Sequence, residues 1–255
     1  MPAPVSKSDA LYTQIREDIL SLDLPPGAPL RLPAISDRYG IGLTPLRECL
    51  NRLSAENLVL PEHNKGFRVS LLSLTELLDL EGSRSVVEGA LFAQSVEAGE
   101  EDWEAAVVGA FHHLAKTPFP SVLEAPDELQ TWHRRHAAFH AALTAAAPSV
   151  MLRRFRDALS DQLRRYHVFI QNSLQELSRT MPEKAAWADE VFSSAMRLAA
   201  HQTLYDVALD RDTGGATAAF AEHSNLSSHA FRQLVTLIPT GSDLDAQRAS
   251  AAVAL

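Results

Sequence analysis

The sequence predicts a mainly α-helical protein, in which an N-terminal winged helix-turn-helix precedes a C-terminal all-α helical bundle. Three observations lead to this fold class. Apolar residues recur at helical spacing through most of the chain. Proline- and glycine-rich breaks divide residues 1–74 into several small elements. From residue 75 onward glycine is sparse and helix-forming residues dominate.

Composition and charge narrow the class of protein. The chain has 255 residues, of which 46% are hydrophobic and 22% charged, as in a globular protein large enough for two domains. It has no apolar run of about 18 residues for a membrane span and no signal-peptide pattern. The single cysteine, Cys49, excludes an internal disulfide framework and suits a reducing compartment. We therefore expect a cytoplasmic protein with no membrane partner.

The formal net charge of −9 is distributed unevenly. Residues 1–74 contain eight Lys/Arg and eight Asp/Glu, so the excess of acid lies entirely in the remainder. A neutral N-terminal region can still bind nucleic acid through a few well-placed cations. The charge alone therefore leaves the question of nucleic-acid binding open.

The first two elements are predicted to be helices. Ser8 to Leu22 has apolar residues at helical spacing, and the segment DLPPGAPL at 23–30 then breaks the pattern with three prolines and a glycine. A short second helix is predicted over Leu32 to Tyr39. Gly40 follows it at the position of a helix C-cap glycine.

The third helix is predicted to open at Thr44-Pro45, because threonine is a good N-cap and proline fits the first helical position. Its leucines form one apolar stripe, while Arg47 falls on another face. The following segment, LVLPEHNKGFRVSLL, is typical of two short strands around a turn at residues 64–66. Two helices, a short turn, a helix and a hairpin make up a winged helix-turn-helix.

In such a domain the second helix of the pair enters the major groove with its N-terminal residues at base edges. Arg47 can reach a guanine edge or a phosphate, and Thr44 can donate to a phosphate while capping the helix. An isolated arginine would more often be a solvated helix charge, but the whole arrangement favours DNA. The predicted DNA-binding residues, with the last three on the wing, are Arg38, Thr44, Pro45, Arg47, Lys65, Gly66 and Arg68.

The segment 25–73 closely resembles the DNA-binding domain of GntR-type bacterial transcription regulators. Gly42 and Leu43 in the turn depart from the family, which usually has Ser and often Arg there, and one expected DNA contact is thereby lost. The residues that carry the resemblance are Pro26-Gly27, Leu30, Gly40, Thr44-Pro45-Leu46-Arg47-Glu48, Glu56-Asn57-Leu58-Val59 and Gly66.

The region after residue 74 is predicted to form about six helices. Glycines and prolines mark the breaks between them, and Ser149 is a suitable N-cap for the fourth. The predicted spans are 75–98, 100–116, 126–147, 150–175, 183–210 and 214–237. We expect domains at 1–74 and 75–238, followed by a flexible tail at 239–255.

Histidines in this region are candidate metal ligands. His133, His136 and His140 share one face of one predicted helix, and His201 and His223 lie in two later ones. Imidazoles placed in this way can converge on a transition metal in a bundle core. On spacing alone, hydrogen-bonded core or surface histidines remain the more common alternative.

The same order of segments resembles the ligand-binding domain of the FadR-like branch of the GntR family, the FCD type. Metal-binding members carry Asp-x-x-x-His on one helix and single histidines on two later helices. The resemblance implies a Zn²⁺ or Ni²⁺ site, in which a histidine replaces the aspartate and His133 is an alternative ligand. The implied ligands are His136, His140, His201 and His223.

The resemblance also implies that Arg84 faces the effector pocket. A guanidinium beside an open metal position is a good receptor for a small carboxylate. On spacing alone, Arg84 and Glu88 would form an i,i+4 pair on the surface of a helix.

We therefore predict a homodimeric transcriptional regulator, not an enzyme, that binds double-stranded operator DNA under the control of a small organic acid. A metal-dependent hydrolase with a helical-bundle core is the main alternative, and a binding module without a DNA role is another. Salt-dependent binding to promoter DNA would separate the first hypothesis from the others.

Overall fold

The structure is a computed structural model that describes residues 7–63, 65–121 and 126–235. Its described residues fall into two compact units. Among the described residues, the first unit comprises those up to Ser73 and Asp161–Phe169, and the second comprises Leu74–Ser160 and residues 170–235. No described helix is long and apolar enough to cross a membrane. The tail predicted at 239–255 lies outside the described residues.

The first unit is a winged helix-turn-helix built around one apolar core. Residues such as Ile15, Leu46, Leu50 and Val69 are fully buried in that core, which explains the leucine stripe of the third helix. The elements, in chain order, are α1 (Lys7–Leu20), β1 (Pro29–Leu30), α2 (Leu32–Tyr39), α3 (Leu43–Ala55), β2 (Val59–Glu62) and β3 (Gly66–Val69).

The described strands form an antiparallel sheet in the order β1-β3-β2. The sequence predicted β2 and β3 but missed β1, which lies in the proline-rich break and pairs Leu30 with Phe67. Gly66 begins β3 with a φ of 96°, and a Cβ there would lie 2.9 Å from the Leu30 carbonyl oxygen. Glycine is therefore required at this position for both conformation and space.

Two predictions about helix ends had different outcomes. Gly40 adopts the left-handed conformation, with a φ of 63°, at the end of α2 as predicted. The prediction of Thr44 as the N-cap of α3 is wrong, because the helix begins at Leu43 and Gly42 is its cap. The Gly42 carbonyl already accepts the first helical hydrogen bond, from the Leu46 N–H. Pro45 lies third in the helix, still in the turn where an N–H has no intrahelical acceptor.

The second unit is entirely helical over its described residues. The predicted helix at 183–210 is in fact two helices, because the first ends at Ala195 with Met196 as its C-cap and the second begins at Ala199. Ser149 caps its helix as predicted, since its side chain accepts from the Leu152 N–H at 3.3 Å. The helices are α4 (Leu74–Ala98), α5 (Glu101–Ala115), α6 (Pro126–Leu143), α7 (Val150–Thr180), α8 (Pro182–Ala195), α9 (Ala199–Leu209) and α10 (Thr213–Val235).

An aromatic core positions the helices of this unit. Phe92 of α4, Phe139 of α6 and Phe220 of α10 are fully buried together. α4 packs along α10. A Cβ added to Gly89 of α4 would lie 3.7 Å from the Cβ of Phe220, so the glycine lets the two helices approach closely. The inward faces of α4, α6, α9 and α10 therefore surround a common interior.

Candidate DNA-binding groove and metal centre

A concave surface of the first unit lies between the N-terminal part of α3 and the wing, which consists of β2, β3 and the turn between them. The cavity has a volume of about 880 Å³. Among its lining residues are four cations, Arg31, Arg47, Lys65 and Arg68, and one acid, Glu62. We call this surface the wing groove. Its local charge is positive although the whole chain is acidic.

Two predicted DNA-binding cations in the wing groove are available to a ligand. Arg47 on α3 and Lys65 in the wing turn are exposed, and neither forms an ion pair with another described residue. Thr44 is exposed in the first turn of α3. Because an exposed cation keeps its hydration until DNA arrives, these side chains can contact phosphates without an internal partner being lost.

Two other predicted cations already have partners. Arg68 donates from Nε to Glu62 at 2.7 Å and from Nη1 to the Gly27 carbonyl at 2.5 Å. Arg38 forms a longer ion pair with Asp18, at 3.4 Å, and its guanidinium lies over the ring of Tyr39. The bond to Gly27 holds the wing to the segment before β1, and the pair with Asp18 holds α2 to α1, so both arginines have a structural function within the unit.

Arg31 was not among the predicted DNA-binding residues. It is exposed, lines the wing groove, and has no ion pair with another described residue. The sequence offered one weak signal, a cation directly before the short second helix. Without β1, nothing in the sequence indicated that this residue lies beside the wing.

The second unit brings together the four histidines that the sequence proposed as metal ligands. His136 and His140 come from α6, His201 from the first turn of α9, and His223 from α10. Each of the four rings offers one nitrogen, and these four nitrogens all lie within 4.8 Å of one another. The spacing along α6 puts the first two rings on one face, and the break between α8 and α9 positions the third.

Hydrogen bonds determine which nitrogen each ring can offer. His201 Nδ1 lies 3.1 Å from the Arg197 carbonyl, and His223 Nδ1 lies 3.0 Å from the Ala200 carbonyl. Since a carbonyl only accepts, both Nδ1 atoms carry the proton and both Nε2 atoms keep a lone pair. The buried Nε2 atoms of His136, His140 and His201 have no hydrogen-bond partner. A metal ion would satisfy these nitrogens.

The imidazoles are in the form that binds metals. Burial lowers the pKa of His201 to about 4 and that of His223 to about 3. Burial and the neighbouring histidines hold the pKa values of His136 and His140 well below the usual range. All four rings are therefore neutral near pH 7, as metal coordination requires.

Arg84 lies on α4 next to this cluster. It lowers the pKa of all four imidazoles, which shows that its charge acts on each ring. It is 9% exposed and lies between two buried carboxylates, with Glu81 Oε1 3.5 Å from Nη1 and Glu88 Oε1 3.5 Å from Nε. The alternative of a surface pair with Glu88 is therefore wrong, because both partners are buried.

The two carboxylates change the charge expected for this interior. When both are ionised they offset two of the three positive charges that a divalent ion and Arg84 would supply. Burial raises the pKa of Glu81, which favours its neutral form. Glu88 also lies near a histidine of the cluster, with Oε2 3.6 Å from His140 Nδ1.

His133, the alternative ligand, lies outside the cluster. Its side chain is exposed, and its ring contacts Trp132. Trp132 in turn stacks on His136, with ring centroids 4.6 Å apart. The structure therefore selects His136 as the first histidine of the cluster.

A winged helix-turn-helix with a cationic groove, combined with a helical domain that has a polar interior, defines a DNA-binding protein with a ligand-sensing domain. Comparison with known proteins agrees. Residues 7–69 match the family described as bacterial regulatory proteins, gntR family. Residues 76–226 match the FCD domain. The chain belongs to the GntR family of bacterial regulators, in the group with an FCD domain.

Individual relatives point the same way. The chain is 35% identical over 216 residues to the HTH-type transcriptional repressor GlaR of Escherichia coli (strain K12), covering 83% of this chain and 90% of that repressor. It is 31% identical over 169 residues to the uncharacterized HTH-type transcriptional regulator BphR of Paraburkholderia xenovorans (strain LB400), covering 65% of this chain and 69% of that protein.

Solved structures share the fold. E. coli McbR/YncC superposes with a TM-score of 0.58 at 20% identity, covering 90% of this chain and 99% of that chain. A putative transcriptional regulator GntR from Rhodococcus sp. RHA1 gives 0.59 at 17% identity, covering 90% and 98%. At these identities the likeness shows the fold alone.

The chain is therefore a DNA-binding transcriptional regulator with a C-terminal effector-binding domain. Its relatives are regulators, so the alternative of a metal-dependent hydrolase is not favoured. The histidine cluster could hold a metal ion within that domain.

Proposed function

We propose that this regulator is a cytoplasmic homodimer whose affinity for operator DNA is set by a small organic acid bound at a metal site in the helical domain. The observation that carries the proposal is the cluster of four neutral imidazoles beside the buried guanidinium of Arg84. Neutral nitrogens without partners and a nearby buried cation are what a metal ion and a carboxylate would each need.

The proposed metal is a divalent transition ion such as Zn²⁺ or Ni²⁺, held by His136, His140, His201 and His223. Imidazole nitrogen suits both ions. The bound ion would act as a Lewis acid toward a carboxylate oxygen of the effector. The carbonyls of Arg197 and Ala200 support this site by fixing two of the rings in the tautomer that leaves Nε2 free.

The proposed effector is a small carboxylate, because Arg84 is a guanidinium suited to paired hydrogen bonds. Its Nε has no hydrogen-bond partner although it is buried. Glu81 and Glu88 lie at ion-pair distance from Arg84, and when ionised they offset the guanidinium charge. They also limit the attraction, so the selectivity for anions depends on the metal as well as on Arg84.

The proposed DNA contacts lie in and beside the wing groove. Arg47, at the start of α3, would read a base edge or a phosphate, and Lys65 would contact the backbone from the wing. A homodimer would place two such heads on a two-fold operator, which gives the affinity that one short helix lacks. The two DNA-binding domains of such a dimer could be placed in more than one way relative to each other. An effector that binds one placement more tightly than another would change the free energy of DNA binding by about 1–3 kcal/mol.

The test measures metal, effector and DNA in one preparation. Protein purified without chelator is analysed for metal, and its operator is selected from random duplexes. Operator affinity is then followed by fluorescence anisotropy while organic acids are added. We expect about one metal ion per chain and a change in affinity with one class of carboxylate, which is lost after the metal is removed.

Variants of Arg84 identify the carboxylate receptor. Arg84→Lys keeps the buried charge but loses the guanidinium fork, so it should fold, bind operator and respond weakly. The double variant Arg84→Gln with Glu81→Gln removes both charges of a buried ion pair at once. It should bind operator DNA, and its operator affinity should not change when organic acids are added. An undiminished response in both variants, or stabilisation of the wild type by neutral or cationic compounds only, would contradict the carboxylate proposal.

Replacing His136 by Asp tests the charge of the site. The family resemblance implies that aspartate can serve at this position, so the metal should remain. The added negative charge should weaken carboxylate binding. If carboxylate binding strengthens in this variant, the electrostatic part of the proposal is wrong.

A further inference from the structure

We propose that Arg31 is a DNA-binding residue that contacts the phosphate backbone at the wing side of the wing groove. The inference rests on the proposed DNA contacts in that groove and adds a residue outside the recognition helix and the wing. Three features carry it: the position of Arg31 beside the wing, its free charge, and its place in the helix-turn-helix.

The position of Arg31 follows from the register of the sheet. Leu30, the last residue of β1, is paired with Phe67 of β3, so Arg31 comes next to the point where the wing turn returns into β3. The close approach of Gly66 to the backbone of Leu30 and Arg31 places Arg31 beside the wing independently of the strand register. A Cβ on Gly66 would lie 2.9 Å from the Leu30 carbonyl oxygen and 3.8 Å from Arg31 Cα. Arg31 therefore lies directly beside the base of the wing.

The charge of Arg31 is available to a ligand. Its side chain is exposed and has no ion pair among the described residues, as is true of Arg47 and Lys65 in the same groove. Arg68, the fourth cation, is occupied by Glu62 and the Gly27 carbonyl. The turn between α2 and α3 and the first residue of α3 add no cation, since this segment is Gly40-Ile41-Gly42-Leu43. The free positive charge of the groove thus comes from three residues.

The place of Arg31 in the fold indicates a phosphate rather than a base. Arg31 is the N-cap residue of α2, which is the first helix of the helix-turn-helix pair. In this class of domain the first helix crosses the DNA backbone, whereas the second enters the major groove. A cation at the start of the first helix is therefore positioned to neutralise a phosphate, and Arg47 on α3 is positioned for the bases.

The experiment compares Arg31→Ala, Arg31→Lys and Arg179→Ala with the wild type. Arg179 belongs to the second unit and has a side chain that is 75% exposed, so its removal makes the same change in net charge without altering a residue of the groove. Two labelled duplexes of about 30 base pairs are used, long enough for two half-sites one helical turn apart. One carries the operator selected by the wild type, and the other has an unrelated sequence. Binding is measured across a series of salt concentrations.

We expect Arg31→Ala to lower the slope of log affinity against log salt by about 0.9 for each bound chain, or about fivefold in affinity per chain near 0.15 M salt. The loss should be equal on both duplexes, so that the preference for the operator is unchanged. Arg31→Lys should keep the slope, because a phosphate contact needs only the charge. Arg179→Ala should behave as the wild type.

Two results would overturn the assignment of Arg31 alone. One is an unchanged slope in Arg31→Ala, and the other is a loss confined to the selected operator, which would indicate base reading. If the wild type binds neither duplex, the proposed DNA contacts fail and the Arg31 assignment fails with them. Circular dichroism and thermal unfolding of each variant exclude a folding defect as the cause.

Discussion

The wing groove and the histidine cluster use nitrogen-rich side chains under opposite physical conditions. In the groove, Arg31, Arg47 and Lys65 are exposed and charged, and none of them forms an ion pair with another described residue. In the cluster, His201 is fully buried and the rings are neutral. Exposed cations cost little to maintain and attract any polyanion, whereas buried imidazoles must be oriented in advance and then select a ligand by geometry.

This contrast predicts different sensitivities. Contacts made by the groove should depend on salt, because counterion release dominates binding to DNA. The cluster should depend on pH, because protonation competes with the metal for Nε2. Substitutions in the groove should change affinity and leave the fold intact, whereas substitutions in the cluster should also change stability.

The largest effect is expected from the metal. Zn²⁺ or Ni²⁺ at about 1,000 times its dissociation constant should raise the free energy of unfolding by about 4 kcal/mol, since the ion binds the folded chain. Chelation should reverse the gain, as measured by chemical denaturation. His201→Ala should weaken metal binding by more than about 100-fold, which is beyond the usual effect of an outer-shell change. His133→Ala, at an exposed position on the same helix as His136 and His140, should bind the metal normally.

A smaller effect is expected at the recognition helix. Arg47→Ala should cost about 1–3 kcal/mol for each half-site if Arg47 reads a base, with an unchanged fold because the side chain is exposed. Anisotropy on the selected operator and on single-base variants of it measures this loss. Unchanged operator affinity would remove α3 as the recognition helix.

The third prediction concerns Glu88, which supports the cluster from α4. Its Oε2 is 3.6 Å from His140 Nδ1, which is beyond hydrogen-bond distance, so the expected support is electrostatic: an ionised carboxylate there would favour a proton on Nδ1 and leave Nε2 for a metal. Glu88→Gln should lower metal affinity by about 10- to 100-fold. Glu97→Gln, an exposed position on the same helix, is the matched control. Equal metal affinity in both variants would show that Glu88 only pairs with Arg84.

The fourth prediction is a dependence of stability on pH in metal-free protein. The folded pKa values of His201 and His223 are about 4 and about 3, below the value of about 6.5 expected for an unfolded chain. Between these values the unfolded state binds more protons. The free energy of unfolding should therefore fall as pH drops below about 6.5 and level off, for these groups, below about 3.

Urea denaturation of metal-free protein near pH 7.5 and near pH 5.5 measures this fall in stability. The double change His201→Gln with His223→Gln should reduce it, because the neutral side chains bind no protons in either state. A wild type equally stable at both pH values would show that the rings are not buried in their neutral form.

The smallest effect is expected from Arg38, although the sequence grouped it with the DNA-binding residues. Its guanidinium pairs with Asp18 and lies over Tyr39. Arg38→Ala should lower the salt slope by less than Lys65→Ala, which should approach about 0.9 for each chain. A larger slope change for Arg38→Ala would mean that the pair with Asp18 opens on DNA.

Much of both regions could be predicted from local sequence signals. Helical spacing predicted α3 and α6, Gly40 marked the end of α2, and Ser149 marked the start of α7. The prediction of Thr44 as the N-cap of α3 was wrong because threonine and glycine are both common N-cap residues. Residue types therefore did not distinguish Thr44 from Gly42, and only the backbone conformation, which is extended at Gly42, identifies the cap. The break between α8 and α9 contains no proline or glycine, so no local signal indicated it.

The sequence by itself determined the family, the order of most elements and the identity of the four clustered histidines, because these depend on short-range patterns and on a recognisable set of residues. Only the tertiary structure decided which charges are free. It pairs Arg68 with Glu62, buries Arg84 between two carboxylates, and carries Arg31 to the wing through β1. Ion pairing and burial join residues distant in sequence or depend on how helices pack, and a local pattern of residue types contains neither kind of information.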